Sequence, residues 1–390
     1  MEKMKNIISF NKPYLTGRET EYIKDAVANL KISGDGVYTK KCHDFFEKEI
    51  GFKKVLLTTS CTDALEMAAI LLNIEKDDEV IVPSYTFVST VNAFVLRGAK
   101  IVFVDSDIRN PNMDVNAIEA LITAKTKVIL PVHYAGIACD MDKIMDLAKK
   151  YNLFVVEDAA QAIDATYKGK TLGTFGHLAA FSFHETKNIT SGEGGMLVIN
   201  DEKLIARAEI IREKGTNRSA FFRGEVDKYS WVDIGSSFLP SDIIAAFLYA
   251  QLENLRGIQN KRKHIWELYD SKLQILRKKN KAMLPFLPDY ACNNAHMYYL
   301  VCESLEQRSA LINYLKEFEI STVFHYLSLH KSPFYKDKHD GRELPQSDAY
   351  ADRLLRLPIY YELSDDDISF ITERILDFFD VKNPVKSLIN

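Results

Sequence analysis

The stretch VLLTTSCTDALEMAAILL, residues 55–72, reads as a strand, a turn of small residues and a helix. Val55, Leu56 and Leu57 have the character of a buried strand, and Ala64, Leu65, Ala68, Ala69 and Leu72 recur at helical spacing. Ser60, Thr62 and Asp63 stand where the helix begins. A helix start leaves backbone N–H groups without intrahelical partners, so this one, with the hydroxyls of Ser60 and Thr62, is suited to hold a phosphate. A capped helix without a ligand accounts for the same residues equally well, and no base stands beside Cys61 to make it a nucleophile.

The pattern continues outward. EVIVPSYTF from Glu79, KIVFVDSD from Lys100, KVILPVHYAG from Lys127, LFVVEDAA from Leu153, LAAFSFHETK from Leu178 and GMLVIN from Gly195 are short runs rich in Val, Ile and Phe. Longer amphipathic segments separate them. DMDKIMDLAKKYN from Asp140 sets Ile144, Leu147 and Ala148 on one face and opens with acidic residues that suit a helix N-terminus. This alternation predicts an α/β fold with a mostly parallel sheet covered by helices. SDIIAAFLYAQLENLRGIQNKRKHIWELYDSKLQIL then predicts a long helical stretch leading to a second unit. There HMYYLVCE and STVFHYL read as strands, EQRSALINYLKEF as a helix, and LSDDDISFITERILDFF as a helix capped by Ser364. The expected division is a large domain over residues 1–255 and a small C-terminal α+β domain over residues 256–390.

Charge and composition narrow the function. Fifty Lys+Arg against 54 Asp+Glu leave a net charge of -4, with no block of one sign that would track a phosphate backbone or an anionic bilayer. Nucleic acid and membrane partners are therefore not expected. No apolar run reaches membrane-spanning length and MEKMKNIISF lacks the form of a secretion signal, so a cytoplasmic location is expected. Five cysteines, Cys42, Cys61, Cys139, Cys292 and Cys302, include no C-x-x-C pair, and the nine histidines show no zinc-hydrolase spacing. Reduced thiols and no metal are the expectation.

In open α/β sheets ligands bind at the carboxyl ends of the strands, and several of those ends here are polar. LFVVEDAAQ closes a buried strand with Glu157 and Asp158, which must point to opposite faces, and a buried carboxylate needs a cation or a ring of donors. Lys187, in FSFHETKNITSGEGG, follows another strand; alone it would be read as a surface lysine. A phosphate-ready helix start, a strand-end aspartate and a strand-end lysine at one sheet edge are together what pyridoxal 5'-phosphate requires. The cofactor needs a phosphate anchor, a carboxylate for its ring nitrogen and an amine. Phe87, in PSYTFVST, is positioned to cover the ring.

VLLTTSCTDALEMAA, PSYTFVSTVNAFVLRGAKIVFVD, PVHYAGIACDMD, FVVEDAAQ, SFHETKN, EKGTNRSAFFRGEVDKYSWVDIGSSFL and FHYLSLH, in this order, resemble the nucleotide-sugar aminotransferases. These are fold-type I, aspartate aminotransferase-like enzymes dependent on pyridoxal phosphate. The resemblance runs nearly end to end and implies that Lys187 is the Schiff-base lysine and proton shuttle. It implies further that Asp158 binds the ring nitrogen, Gln161 reaches the ring hydroxyl, Phe87 stacks on the ring, and Cys61, Thr62 and Ser182 hold the phosphate. Family members are homodimers with shared active sites, completed across subunits by an asparagine in a glycine-aromatic-asparagine motif. Here the segment reads GSSF, with Ser237 in the asparagine's place. His325 and Tyr326 would face the substrate, although FHYLSLH reads equally as an edge strand with buried aromatics. EKGTNRSAFFRG and DIGSS are most similar to the subgroup that forms dTDP-4-amino-4,6-dideoxygalactose. That subgroup implies L-glutamate as donor and a dTDP-4-keto-6-deoxyhexose as acceptor. A 3-keto sugar, another nucleotide, or a non-catalytic homologue are the competing readings. Dehydratase relatives carry histidine where Lys187 stands, and no G-x-G-x-x-G follows the first strand as a nicotinamide enzyme would require.

Overall fold

The computed structural model describes residues 7–381. Residues 1–6 of the expected first domain and 382–390 of the second lie outside the described residues.

The chain enters through the helices Glu19–Ala28 and Val37–Asp44 and reaches β1 (Val55–Thr58). It continues through β2 (Glu79–Pro83), β3 (Lys100–Val104), β4 (Thr126–Ile129) and β5 (Phe154–Asp158), with helices in most of the connections. A short hairpin of β6 (Thr166–Tyr167) and β7 (Lys170–Thr171) precedes β8 (Leu178–Ser182) and β9 (Gly195–Ile199). Seven of these strands form one sheet in the order β1-β9-β8-β5-β4-β2-β3, so all seven apolar runs in the sequence are strands of one sheet. The five from β8 to β3 pair in parallel, while β9 runs antiparallel to both its neighbours.

Alternation along the strands divides the core into two layers. Leu57, Ile81, Val102, Val155, Phe181 and Val198 pack on one face. Their neighbours Leu56, Val80, Ile101, Val156, Ala180 and Leu197 pack on the other. Burial on both faces is why these strands read as continuous apolar runs.

The long helical stretch is two helices, Asp242–Glu253 and Leu255–Lys278, with Asn254 between them outside helical geometry (φ -108°, ψ 12°). The first is buried along Ala245, Ala246, Leu248, Ala250 and Leu252. After the second, β10 (Ala291–Cys292) pairs with β6, so this part of the segment after residue 255 extends a sheet begun in the first half of the chain. The C-terminal sheet consists of β11 (Tyr299–Val301), β12 (Val323–Phe324) and β13 (Leu354–Arg356), with β13 central and antiparallel to both others. It shares a core with the helices Leu305–Glu317 and Asp365–Phe378. Ser364 caps the latter in a reciprocal capping box with Asp367, as the sequence suggests.

STVFHYL departs from expectation: its strand stops at Phe324. Tyr326 takes a left-handed backbone (φ 54°), and the Tyr85 hydroxyl donates to the His325 carbonyl, which draws the chain off the sheet.

Candidate active site

A cavity of about 650 Å³ opens where the start of the helix Cys61–Leu71 meets the carboxyl ends of β5 and β8. The helix start is organised by Ser60, whose hydroxyl accepts from the Asp63 N–H at 3.0 Å. Cys61 and Thr62 of that first turn line the cavity, and the Thr62 hydroxyl donates to Ser89 Oγ at 2.9 Å. Ser182, the last residue of β8, lines it too. Burial pushes the Cys61 thiol well above its usual range, with Asp158 adding to the effect, so a reactive thiolate is disfavoured there.

Glu157 and Asp158 point to opposite faces of β5. Asp158 lines the cavity; its Oδ2 accepts from the Thr90 hydroxyl at 2.8 Å and its Oδ1 from the Ala160 N–H at 3.1 Å. Burial raises its pKa, and these donors, with the charge of Lys187, offset only part of that. Glu157 lies beneath, fully buried, in a ring of donors. His133 Nε2 is 2.9 Å away, and the N–H groups of Gly173, Phe175 and Gly176 donate at 2.8, 2.8 and 2.7 Å.

Lys187 also lines the cavity, and it forms no ion pair among the described residues. Burial lowers its pKa while Cys61 and Asp158 pull it up, and Arg356 adds to the lowering. The result is an amine nearer its neutral, nucleophilic form than a surface lysine. Gln161 bridges two walls: Oε1 accepts from the Ala135 N–H at 2.6 Å and Nε2 donates to the Tyr326 hydroxyl at 3.1 Å. Phe87, 54% exposed, caps the helix Val88–Val95, and its ring centroid is 6.0 Å from that of Tyr326. His325 and Tyr326 stack at 3.5 Å, and His325 Nδ1 is 2.7 Å from the Tyr134 hydroxyl.

Ser237 is apart. It is exposed, bridges to Glu213 and does not line this cavity.

Among the cavity residues without a site role in the sequence reading are Thr90, Arg262, His296 and Arg356. Thr90 follows Phe87 by one helical turn, a spacing that could have tied it to the site. The other three come from the C-terminal half without any motif. Arg262 is satisfied by carbonyl oxygens, of Ala295 at 3.2 Å, His296 at 2.7 Å and Ile359 at 3.4 Å. Arg356 is not. Its Nη2 reaches the Phe324 carbonyl only at 3.4 Å, its Nε is buried without a partner, and its guanidinium lies over Phe10 at 4.7 Å. No carboxylate pairs with it among the described residues.

The model of the DegT/DnrJ/EryC1/StrS aminotransferase family matches residues 13–376. The chain belongs to this family. It is 35% identical to GDP-perosamine synthase of Escherichia coli O157:H7 over 95% of this chain and 98% of that protein. It is 32% identical to the spore coat polysaccharide biosynthesis protein SpsC of Bacillus subtilis, over 97% and 98%. The PLP-form of Spr1654 from Streptococcus pneumoniae superposes with a TM-score of 0.87 at 27% identity, over 96% of this chain and 99% of that one. This DegT-family aminotransferase thus has the fold-type I architecture and is a pyridoxal phosphate-dependent enzyme that transaminates nucleotide sugars.

The residues fit that cofactor. A Cβ on Gly195 would lie 2.3 Å from the Cys61 nitrogen, so the bare glycine leaves β9 close against the helix start that would hold a phosphate. Asp158 is a buried carboxylate without an ion-pair partner among the described residues, suited to a cationic ring nitrogen.

Proposed function

We propose that this aminotransferase moves the amino group of L-glutamate to C4 of a dTDP-4-keto-6-deoxyhexose, forming dTDP-4-amino-4,6-dideoxygalactose and 2-oxoglutarate. The observation that carries the reading is the set of residues gathered in one cavity. Lys187, Asp158 and the helix start at Cys61 line it together with the stacked His325 and Tyr326 and the uncompensated Arg356.

When bound, pyridoxal phosphate supplies an electrophilic carbon for an amine and a ring that takes up electrons. Lys187 holds the cofactor and moves a proton at Nζ, a task suited to an amine whose pKa burial has lowered. Asp158, kept in place by Thr90, would hold a proton on the ring nitrogen; Gln161 would reach the ring hydroxyl, Phe87 would cover the ring, and Cys61, Thr62 and Ser182 would bind the phosphate. Arg356 receives a carboxylate of the amino donor, which would give this partly buried cation the partner it lacks. His325 and Tyr326 hold the sugar. The enzyme acts in the cytoplasm as a homodimer, with Ser237 reaching the phosphate in the partner's site; its position outside its own cavity agrees with that.

The dTDP nucleotide rests on EKGTNRSAFFRG and DIGSS. Likeness to GDP-perosamine synthase favours a second reading, a GDP-linked 4-keto sugar. Incubation with L-glutamate and dTDP-4-keto-6-deoxyglucose, with the product identified by NMR, tests the first. Formation of the galacto-configured 4-amine is expected. Turnover of only the GDP sugar, or of only a 3-keto isomer, would reject it.

A further inference from the structure

His296 lies in the loop before β11 and lines the cavity. Its surroundings fix which ring nitrogen carries the proton. Asn188, the residue after Lys187, donates through Nδ2 to the Asn294 carbonyl at 2.9 Å and to Gln259 Oε1 at 2.8 Å. A backbone carbonyl only accepts, so the Asn188 amide cannot be turned around without setting two oxygens against each other. Gln259 is fixed in the same way, since its Nε2 donates to Asp164 Oδ2 at 3.2 Å and to the Asn294 carbonyl at 3.3 Å. Asn188 Oδ1 therefore faces His296 Nδ1, 2.8 Å away, as an acceptor, and Nδ1 bears the hydrogen.

The consequence falls on the opposite nitrogen. Nε2 of the neutral ring is then a bare lone pair. It makes no hydrogen bond among the described residues and, unlike the Tyr299 hydroxyl, is not sealed from the cavity. The backbone is held as firmly, since Arg262 donates to the His296 carbonyl at 2.7 Å and the His296 N–H donates to Asn294 Oδ1 at 3.1 Å. Burial drives the ring toward the neutral form, and the charges that reach it, Lys187, Arg262 and Arg356, are all positive and act the same way.

We propose that His296 is the amine-recognising acceptor of this site: a neutral imidazole, fixed as the Nδ1–H tautomer by Asn188, whose Nε2 accepts a hydrogen bond from the nitrogen being transferred or from Lys187. The identity of that amine rests on the aminotransferase reading; the tautomer does not. An acceptor-only group in a cavity lined by Lys187, Arg262 and Arg356 favours a ligand group that donates a hydrogen bond, and Asn188, which orients the ring, directly follows the reactive lysine.

The direct test is two-bond 1H–15N correlation NMR on the holoenzyme labelled with 15N-histidine, without substrate. The His296 signals, assigned by their loss in His296→Phe, should show a protonated Nδ1 and an unprotonated Nε2 between pH 7 and 8. An Nε2–H tautomer or a doubly protonated ring in that range would overturn the proposal whatever the substrate proves to be. In His296→Phe, a single turnover with L-glutamate should slow by roughly 10- to 100-fold, the weight of one hydrogen bond to a charged group. The pH midpoint of the coenzyme absorption band should fall, because the protonated amine loses an acceptor. Unchanged rate and midpoint in a variant that retains the coenzyme would equally contradict it; if that variant does not fold, His296→Gln supplies the assignment and the wild-type spectrum decides.

Discussion

Glu157 and Asp158 show what adjacency in a strand does to two like residues. Burial pushes the Glu157 carboxyl up, but His133 and the N–H groups of Gly176 and Gly173 outweigh it and hold the group below its usual range. Its contribution to stability is thus fully present above the unfolded-state value of about 4.3 and is lost as pH falls through the lowered folded value. Glu157→Gln should be destabilised by about 3–5 kcal/mol near neutral pH, since an NH2 would oppose a pair of donors on whichever side it falls. Its acid unfolding, followed by circular dichroism, should also lack the step that Glu157 contributes. A wild-type melting temperature in the variant would refute this. The sequence made plain that one carboxylate of the pair needed partners. It could not name them, because His133 lies 24 residues before Glu157 and Gly173 lies 16 after it, and only the sheet brings them together.

At the scale of elements, legibility followed length and burial. The seven strands of the large sheet stood out because a strand covered on both faces is apolar throughout, and turn residues bound each run. β12 and β13 span two and three residues, too few for any periodicity, and the left-handed turn at Tyr326 that ends the former has no glycine to mark it. The break at Asn254 was hidden for a similar reason, since helical spacing continues on both sides of it. The contact between β9 and the helix Cys61–Leu71 carries a prediction at this scale. Gly195→Ala would set a methyl 2.3 Å from the backbone at Ser60 and Cys61, forcing the helix start to move. Overpacking of this kind costs about 1–3 kcal/mol. Pyridoxal phosphate affinity, measured by absorbance titration, should fall at least about tenfold with it. Unaltered affinity would mean that this helix start does not hold the phosphate.

Over the whole molecule, the site joins residues from Phe10 to Ile359, and its two halves were unequally readable. Strand ends of an α/β sheet converge on one edge, so Asp158 and Lys187 could be related from sequence before any contact was known. Arg262, His296 and Arg356 approach that edge from the C-terminal half, through a helix, a loop and a short strand whose sequences give no sign of a shared cavity. Ser237 is the converse case, a residue singled out by motif that stands outside the cavity of its own chain. The account rests above all on Lys187 as the amine that holds the cofactor. Borohydride reduction of the coenzyme-loaded enzyme, followed by digestion and mass mapping, should leave the pyridoxyl group on the peptide containing Lys187 and on no other lysine. A label fixed elsewhere, with Lys187 unmodified, would contradict the account.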